Sequence, residues 1–211
     1  MRIDGKLPEY DATSIHEVVV DAEPARVWLL ILETDLAYAA HRSRAVHALL
    51  AMRAAPSRLA RRLRHQSAPE VDSLRLSALP ELGEWVVLDE DFGHEIVFGG
   101  IGRVKAREVE WRLSESHTWD AFSSPGWTKV AASLGIRTDA DGRTLLSYEI
   151  RAHALDADAR RRLAIYWRFA RPFLAVVQRG LLSYVKQESE GAYVHELTPP
   201  PSSFAGRAGR Q

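Results

Sequence analysis

Two charged residues on one predicted strand are the first place where this sequence could support chemistry. Glu149 and Arg151 are two positions apart in "SYEIRAHA", so on a strand they share one face, while Tyr148 and Ile150 share the other. Composition alone favours placing the charged face in solvent. If the two charges point into the protein, each needs a partner, because an unpaired buried charge costs several kcal/mol. Arg151 paired with Glu149 or Glu95 would then hold the polar end of a ligand or brace the fold.

The histidines are the other candidates for acid–base or metal chemistry. His94 beside Glu95 is the pair that suggests proton transfer. The eight histidines are His16, His41, His47, His65, His94, His117, His153 and His195. None of them forms HExxH or another metal-ligand spacing, and the sequence contains no GxSxG, no P-loop and no recognisable Ser-His-Asp arrangement. We therefore predict no catalytic residue, no metal and no cofactor.

The composition excludes several functional classes. The 211 residues suit one domain, which is large enough to bury a core without a disulfide or metal. The 28 basic residues balance 28 acidic ones, so no net charge attracts nucleic acid. The chain has no cysteine, which removes thiol catalysis, disulfides and cysteine-bound zinc. The longest apolar run, Val27–Leu32, is too short to span a bilayer, and the start lacks a secretory pattern; we predict a cytoplasmic protein without a transmembrane segment.

The elements that must position the candidate residues are mostly strands. "SIHEVVV", Ser14–Val20, indicates a first strand, and a short helix begins at Pro24. Residues 91–93 ("DFG") and 139–142 ("DADG") are turn signals that join hairpins. Gly99, Gly100 and Gly102 predict a bulge or a sharp bend of the sheet. The pattern predicts an α+β fold with about seven mainly antiparallel strands and with the helices on one side.

A long C-terminal helix is the clearest single element. Asp156 is its predicted N-cap, and Pro172 predicts a kink near its middle. Its apolar stripe is broader than one flat contact requires. The aromatic residues of the helix, together with Phe122 and Trp127, either line an apolar chamber or serve as ordinary core residues. The helix residues expected at the chamber are Tyr166, Trp167 and Ala170.

A separate segment is rich in arginine. Seven arginines occur between His41 and His65 without any acidic residue, on two helical pieces divided at Pro56. They form either a solvated face on helices that cover the core, or a surface that attracts anions. In the second case the Arg42–Arg64 stretch would give the protein peripheral contact with a membrane.

Several blocks of the sequence resemble a known superfamily. The opening "HEVVVDAEPARVW" is similar to START-like, or SRPBCC, proteins. "GHEIVFGGIG", "FSSPGWTKVA", "TLLSYEIRA" and "DADARRRLAIYW" resemble a bacterial subgroup of them, and the resemblance runs from about Ser14 to Glu190. It implies a helix-grip fold, in which a curved antiparallel sheet wraps around a long C-terminal helix and encloses a cavity. The superfamily includes START lipid-transfer domains, polyketide cyclase/aromatases, birch-allergen-like proteins and Hsp90-activator-like domains.

The resemblance also implies domain bounds and a binding site. We expect an N-terminal extension at residues 1–13, one START-like domain at 14–197 and a disordered tail at 198–211. Because the subgroup keeps a Glu and an Arg on this strand, we predict that Glu149 and Arg151 face the inside of the sheet, where the helix closes the pocket, and that Arg151 is paired with a carboxylate. The expected ligand-binding residues are Glu95, Val97, Phe122, Trp127, Ser147, Glu149, Arg151, Tyr166, Trp167 and Ala170.

The leading functional prediction is binding or carriage of a hydrophobic or amphipathic small molecule, lipid-like or polyketide-like, in an internal cavity. One alternative is a cyclase/aromatase-type enzyme that acts on a polyketide-like chain. Another is a protein-interaction module similar to Hsp90 activators, which a large exposed apolar patch would favour. The sequence identifies neither the ligand nor the oligomeric state.

Overall fold

The computed structural model describes residues 1–34, 85–105, 108–112, 115–139 and 141–197. The helices are α1 (Arg2–Lys6), α2 (Pro24–Glu33), α3 (Ser116–Ala121) and α4 (Ala157–Leu197). The strands are β1 (Ala12–Val20), β2 (Trp85–Asp91), β3 (Glu95–Lys105), β4 (Glu108–Arg112), β5 (Thr128–Thr138) and β6 (Thr144–Ala154). The described residues thus hold six strands where the sequence predicted about seven. The Arg42–Arg64 stretch and the tail at 198–211 lie outside the described residues.

All six strands form one curved antiparallel sheet. Five of them follow the order β1-β6-β5-β3-β2, and β4 pairs with β3 beside β2. β2 pairs with the first half of β3, and β4 pairs with the second half. Both predicted hairpins are confirmed, between β2 and β3 and between β5 and β6. Their turns contain Gly93 and Gly142 at φ of 83° and 79°, where the absence of a Cβ removes the steric cost. The predicted α+β helix-grip arrangement is therefore confirmed.

The sheet has an inner face, which packs against α4, and an outer face, which packs against α1 and α3. On β6, Leu146 and Tyr148 point to the inner face, where they join the apolar cluster that contains Leu181, Leu182 and Val185 of α4. Strand residues alternate between faces, so the intervening odd-numbered residues of β6 point to the outer face. The inner side chains of β3 and β5 are Ile96, Phe98, Leu134 and Ile136.

The outer face has its own apolar core beneath α1 and α3. Ile3 and Trp119 are fully buried there, against Val97 and Ala131. A Cβ on Gly99 would come within 2.8 Å of Trp119 Nε1 and 2.4 Å of a Leu88 side-chain atom, so close packing explains why this position is glycine. The irregularity that the glycines predicted lies on the neighbouring strand, since the β2–β3 register shifts between residues 87 and 89 of β2.

α4 lies along β1, and side-chain hydrogen bonds form at its start and again at Lys186. Asp156 Oδ1 accepts a hydrogen bond from the Ala159 N–H over 2.7 Å, which confirms the predicted N-cap. Near the other end, Lys186 Nζ donates to the Val19 carbonyl oxygen over 2.6 Å. The helix continues through Pro172, and the kink expected there stays a prediction.

Candidate functional site

The charged pair of β6 is buried on the outer face of the sheet. Glu149 and Arg151 are 5% and 7% exposed, and Arg151 Nε donates to Glu149 Oε1 over 2.7 Å. The same guanidinium lies 2.7 Å from Asp4 Oδ1 and donates to the Leu7 carbonyl oxygen over 3.2 Å. Arg151 therefore joins the central sheet to α1 and to the residue that follows it.

Glu95 holds the other end of α1. Its carboxylate accepts hydrogen bonds from the backbone N–H groups of Arg2, at 2.7 Å, and Ile3, at 3.2 Å. It also accepts one from Ser133 Oγ at 2.7 Å. The first N–H groups of a helix have no partner inside the helix, and a carboxylate is a favourable acceptor for them. Glu95 is thus a buried acceptor that fixes α1 on the sheet.

The charges in this cluster compensate one another. Burial opposes the charge of Arg151, but hydrogen bonds to Glu149 and Asp4 outweigh it and raise the pKa of Arg151 above its ordinary value. The same hydrogen bond lowers the pKa of Asp4. Because the buried arginine has two carboxylate partners, the cluster avoids the large cost of an isolated buried charge.

The prediction for Glu149 and Arg151 was right about burial and pairing and wrong about the side. We expected both to face α4, but α4 packs on the opposite face, where Gln178 Nε2 donates to the Tyr148 carbonyl oxygen. The reason is α1, which belongs to the residues expected as an extension and covers the outer face. Three other expected ligand-binding residues, Glu95, Val97 and Ser147, are buried on this outer face as well.

The inner face is closely packed where it meets α2. Ile31 and Thr34 of the α2 region meet Leu134, Leu146 and the C-terminal half of α4, and the crevice between them is too narrow for a water molecule. Trp28 is also fully buried in this cluster. This end of the inner face therefore has the character of an ordinary core.

The buried polar side chain of Gln178 lies next to that core. The Gln178 side chain is fully buried, and its Oε1 accepts from Ser14 Oγ over 2.7 Å. Its Nε2 donates to the carbonyl oxygens of Ser14 and Tyr148, at 3.1 and 3.0 Å. With its amide satisfied at both atoms, Gln178 sets the position of α4 along β1 and β6.

Beyond Gln178, three small residues interrupt the larger side chains of the inner face, where Ala132 pairs with Phe98 and Ile150 and Gly100 pairs with Val130. Gly100 and Gly102 of β3 and Ala132 of β5 occupy positions whose counterparts near α2 are Ile96 and Leu134. We call Gly100, Gly102 and Ala132 the small-residue floor. The first turns of α4 pack close to the sheet beside this floor, with Ala159 and Leu163 against the alanines of β6.

Half-buried tryptophans stand along the edge of the small-residue floor. Trp85 pairs with Gly100 across β2 and β3, and Trp111 pairs with Gly102 across β4 and β3. Paired residues of an antiparallel sheet share a face, so both indoles lie on the inner side, where their ring centroids are 5.2 Å apart. Trp167 of α4 and Val130 of β5 both pack against the cluster that contains Ala152 and Ala154. The floor is therefore bordered by aromatic surface, and at Gly102 it is covered, since a Cβ there would come within 2.7 Å of a Val109 side-chain atom and 3.2 Å of the Trp111 ring.

The middle of α4 leaves apolar surface incompletely covered. Ala170 is 5% exposed, whereas Tyr166 and Trp167 are half-buried. Ile165 and Phe169 are 65% and 75% exposed. These large side chains contrast with Leu181, Leu182 and Val185 further along the helix, which are buried. Of the ten expected ligand-binding residues, only Tyr166, Trp167 and Ala170 lie on α4.

Phe122 and Trp127 lie together at the end of the sheet rather than on the inner face. Their rings are perpendicular, with centroids 6.0 Å apart, and they pack against the outer core. The Arg103 guanidinium lies over the Trp127 ring, 4.4 Å from its centroid. Trp127 directly precedes β5, so this aromatic pair adjoins the small-residue floor without forming part of it.

Two titratable side chains near α4, Tyr148 and His16, have shifted pKa values. Burial raises the pKa of Tyr148 to about 12. Burial, followed by the positive charges of Arg179 and Arg171, lowers the pKa of His16 on β1. Both shifts favour the uncharged form of the side chain.

The sequence interpretation missed several residues around the floor. Ala132 alternates with Val130 and Leu134 along β5, and this period of two already places all three on one face. Trp85 and Trp111 were not recognised because their position depends on pairing with two glycines of β3. Strand pairing between distant segments is not encoded in local periodicity.

In the described parts of the chain, no helix is long and apolar enough to cross a membrane. Nor do three or more His, Asp or Glu side chains come together there as they would around a metal ion.

The chain is similar to several solved structures at low sequence identity. No family model matches the chain, and no curated protein matches it. A hypothetical protein from Helicobacter pylori aligns at 13% identity and a TM-score of 0.38, over 86% of this chain and 93% of its own. An AHSA1-like protein from Rhizobium etli aligns at 14% identity and a TM-score of 0.32, over 95% of this chain and 92% of its own.

An aromatase/cyclase from a Streptomyces species is also similar, at 12% identity and a TM-score of 0.30, over 86% of this chain and 97% of its own. The AHSA1-like and aromatase/cyclase proteins both belong to the START-like superfamily that the sequence blocks resemble. These scores carry no functional argument. The helix-grip fold of this chain rests on its own strand order and on the helix that its sheet packs against.

Proposed function

We propose that this protein binds a small hydrophobic or amphipathic molecule between the small-residue floor and the middle of α4. The observation that carries the proposal is the division of the inner face into two ends. Near α2 large aliphatic side chains interlock, while at the other end Gly100, Gly102 and Ala132 are bordered by half-buried Trp85 and Trp111. Apolar walls with few polar groups are typical of small-molecule sites.

The chemistry of the surroundings favours binding over a reaction. Tyr148 on the inner face is kept protonated by burial, and the carboxylates of Glu95 and Glu149 are on the outer face, engaged with α1 and Arg151. Aromatic rings supply dispersion contacts and apolar area to a ligand. The proposed role is therefore carriage or sequestration of a lipid-like or aromatic compound.

Native mass spectrometry of freshly purified protein, followed by thermal-shift titration, tests this role. The titrated probes are decanoate, decanol, naphthoate and naphthol. Since a ligand stabilises the folded state by mass action, a probe at a hundredfold its Kd should add about 2.7 kcal/mol to the free energy of unfolding. We expect at least one apolar probe to raise the Tm in a saturable way.

A variant that fills the floor makes the test specific. Ala132→Leu places extra methyl and methylene groups over the floor and should abolish the ligand-induced rise in Tm. Ala25→Leu adds the same groups at an exposed position of α2 and should leave the rise intact. No Tm response of the wild-type protein to any probe would contradict the proposed function. Exposed Ile165 and Phe169 would then favour a protein-interaction role.

A further inference from the structure

The solvent-facing side of α4 has an exposed row of apolar side chains. Ile165 and Phe169 are 65% and 75% exposed, and Pro172 is exposed one turn further along the helix. Residues three or four positions apart share one face of a helix, so these three side chains form one row, which we call the α4 ridge. Leu163 and Ala170, on the other side of the helix, are buried. The α4 ridge therefore points away from the sheet.

The charge along this part of α4 is entirely positive. No Asp or Glu occurs from Ala159 to Gln187, a stretch of about eight helical turns. The whole chain has a net charge of zero, so this helix concentrates positive charge on one side of a neutral protein. The seven basic residues of the stretch are Arg160, Arg161, Arg162, Arg168, Arg171, Arg179 and Lys186.

The arginines in the middle of the stretch have no acidic partner. Basic residues at its two ends pair with carboxylates. Arg168, Arg171 and Arg179 are exposed, and none of them forms an ion pair with another described residue. The charges of Arg171 and Arg179 reach His16 of β1, where they add to the larger effect of burial and lower its pKa. These three arginines are therefore free to attract an external anion.

The unpaired arginines lie beside the α4 ridge. Arg168 directly precedes Phe169, and Arg179 follows Arg168 by eleven residues, or about three turns, so both lie along one side of the ridge. An arginine stem can lie along apolar surface while the guanidinium reaches outward. Basic residues beside exposed aromatic and aliphatic side chains are typical of helices that lie in the headgroup region of a membrane.

The shape and chemistry of this surface favour a lipid bilayer over a protein or a nucleic acid. The α4 ridge stands on a single helix and is convex, so a protein partner would need a matching groove, whereas a fluid bilayer adapts to it. Ile165, Phe169 and Pro172 have no side-chain hydrogen-bonding group that could recognise a base. Anionic headgroups attract arginines near the membrane surface, and the acyl boundary accepts apolar side chains.

We infer that the solvent-facing side of α4 docks the protein on an anionic lipid bilayer. Ile165 and Phe169 enter the headgroup region, and Arg168, Arg171 and Arg179 bind the anionic headgroups. This docking goes beyond the proposed function and does not depend on it, since it requires no ligand inside the protein. In the docked orientation α4 lies between the bilayer and the small-residue floor.

Vesicle binding by matched apolar variants tests the role of the α4 ridge. The probes are vesicles of phosphatidylcholine alone and vesicles of phosphatidylcholine with phosphatidylserine at about two to one. Phe169→Ser removes the most exposed side chain of the ridge. Phe92→Ser is its matched control, because Phe92 is 72% exposed in the turn between β2 and β3. Co-sedimentation measures binding, and far-ultraviolet circular dichroism confirms that each variant is folded.

We expect the wild-type protein to bind the vesicles that contain phosphatidylserine much more tightly than those of phosphatidylcholine alone. Phe169→Ser should weaken this binding about tenfold, because a large apolar side chain no longer enters the interface. Phe92→Ser should bind as the wild-type protein does.

A second pair of variants tests the role of charge. Arg168→Gln with Arg171→Gln removes two unpaired charges from α4, whereas Arg137→Gln with Arg143→Gln removes two exposed, paired charges from the β5–β6 hairpin. The α4 double variant should lose about fivefold in vesicle affinity for each arginine removed, and the hairpin double variant should lose much less. Added salt should weaken the binding of the wild-type protein, because it screens exposed charges.

A fluorescent label locates the docked surface without removing its arginines. The chain has no cysteine, so an environment-sensitive dye can be attached at one introduced thiol. On vesicles with phosphatidylserine, the dye on Ile165→Cys should shift its emission to the blue as it leaves water, and the dye on Phe92→Cys should not. This measurement also decides the matter if Phe169→Ser fails to fold.

Three results would overturn the inference. The first is equal binding of the wild-type protein to both kinds of vesicle. The second is binding that the α4 variants leave unchanged, because another surface, such as the Arg42–Arg64 stretch, would then contact the membrane. The third is equally tight, arginine-dependent binding to a DNA duplex or to polyglutamate, with no effect of Phe169→Ser, which would indicate a surface that recognises charge alone. The proposed function is tested separately, by the ligand-induced rise in Tm.

Discussion

The two faces of the sheet use the same strands in opposite ways. On the outer face, Glu95, Glu149 and Arg151 are buried. Glu95 and Arg151 are bonded to α1, and Glu149 is paired with Arg151. On the inner face, the residues one position along, such as Ile96 and Ile150, are apolar and meet α4 or the space beside it. Buried charge in this protein therefore fastens α1 to the sheet, while the opposite face is the one on which we propose that a ligand binds.

The largest expected effect comes from breaking the outer cluster. Arg151→Leu leaves the buried Glu149 carboxylate without its partner, so it should reduce the free energy of unfolding by roughly 3–5 kcal/mol in urea titrations. Arg137→Leu is the matched control, since it removes an exposed arginine paired with Glu17 and should cost less than about 1 kcal/mol. Equal effects of the two substitutions would show that the cluster does not fasten α1.

A pair of neighbouring alanines compares the packing of the two faces directly. Ala131 is fully buried against the outer core with Ile3 and Trp119, so Ala131→Leu should cost about 1–3 kcal/mol through overpacking. Ala132 lies on the small-residue floor, so Ala132→Leu should cost less than about 1 kcal/mol, because the added groups enter space bordered by apolar rings. Urea unfolding of both variants measures the contrast. A cost of Ala132→Leu as large as that of Ala131→Leu would mean that the floor is already filled.

A smaller effect is expected on the free energy of unfolding as the pH is lowered. The hydrogen bond from Arg151 lowers the pKa of Asp4 in the folded protein below its ordinary value of 3.8. This contribution to stability is present above the unfolded pKa, and it is lost as the pH falls through the folded pKa. Since Asp4 is mostly exposed, Asp4→Asn should cost about 0–1 kcal/mol near neutral pH. In unfolding measurements the difference between wild type and Asp4→Asn should shrink as the pH falls below 3.8 and vanish once Asp4 is protonated in the folded protein. A difference that does not change with pH would contradict this role of the ion pair.

The elements of the fold were largely predictable from the sequence. Which face of the sheet carries the buried charges, and which face is apolar, was not. Turn signals located both hairpins, and Asp156 located the start of α4, because these depend on residues adjacent in the chain. The burial of Glu149 and Arg151 followed from the resemblance to START-like proteins. The face of the sheet to which Glu149 and Arg151 point could not be predicted. It depends on where residues 1–13 pack, and this segment has too few residues for periodicity to indicate a contact.

The candidate site was predictable only at α4. Trp167 and Ala170 belong to a helical stripe that the sequence displays, whereas Ala132 and Trp111 become neighbours of the same space through strand pairing. The missing side chains of Gly100 and Gly102 were visible in the sequence, but we interpreted them as a sign of a distorted strand. In the structure a Cβ on Gly102 would clash with Val109, and Gly100 pairs with Trp85, so the glycines fit the packing of the flanking strands.

Nuclear magnetic resonance with isotope-labelled alanine methyl groups tests most directly whether the inner face binds the ligand. Ala131 and Ala132 are adjacent in β5 and point to opposite faces, so their methyl groups report on the two faces separately. With saturating decanoate, we expect nuclear Overhauser contacts from the alkyl chain to the Ala132 methyl group and none to the Ala131 methyl group. Contacts to Ala131, or saturable binding without any contact to Ala132, would contradict the claim that the inner face receives the ligand.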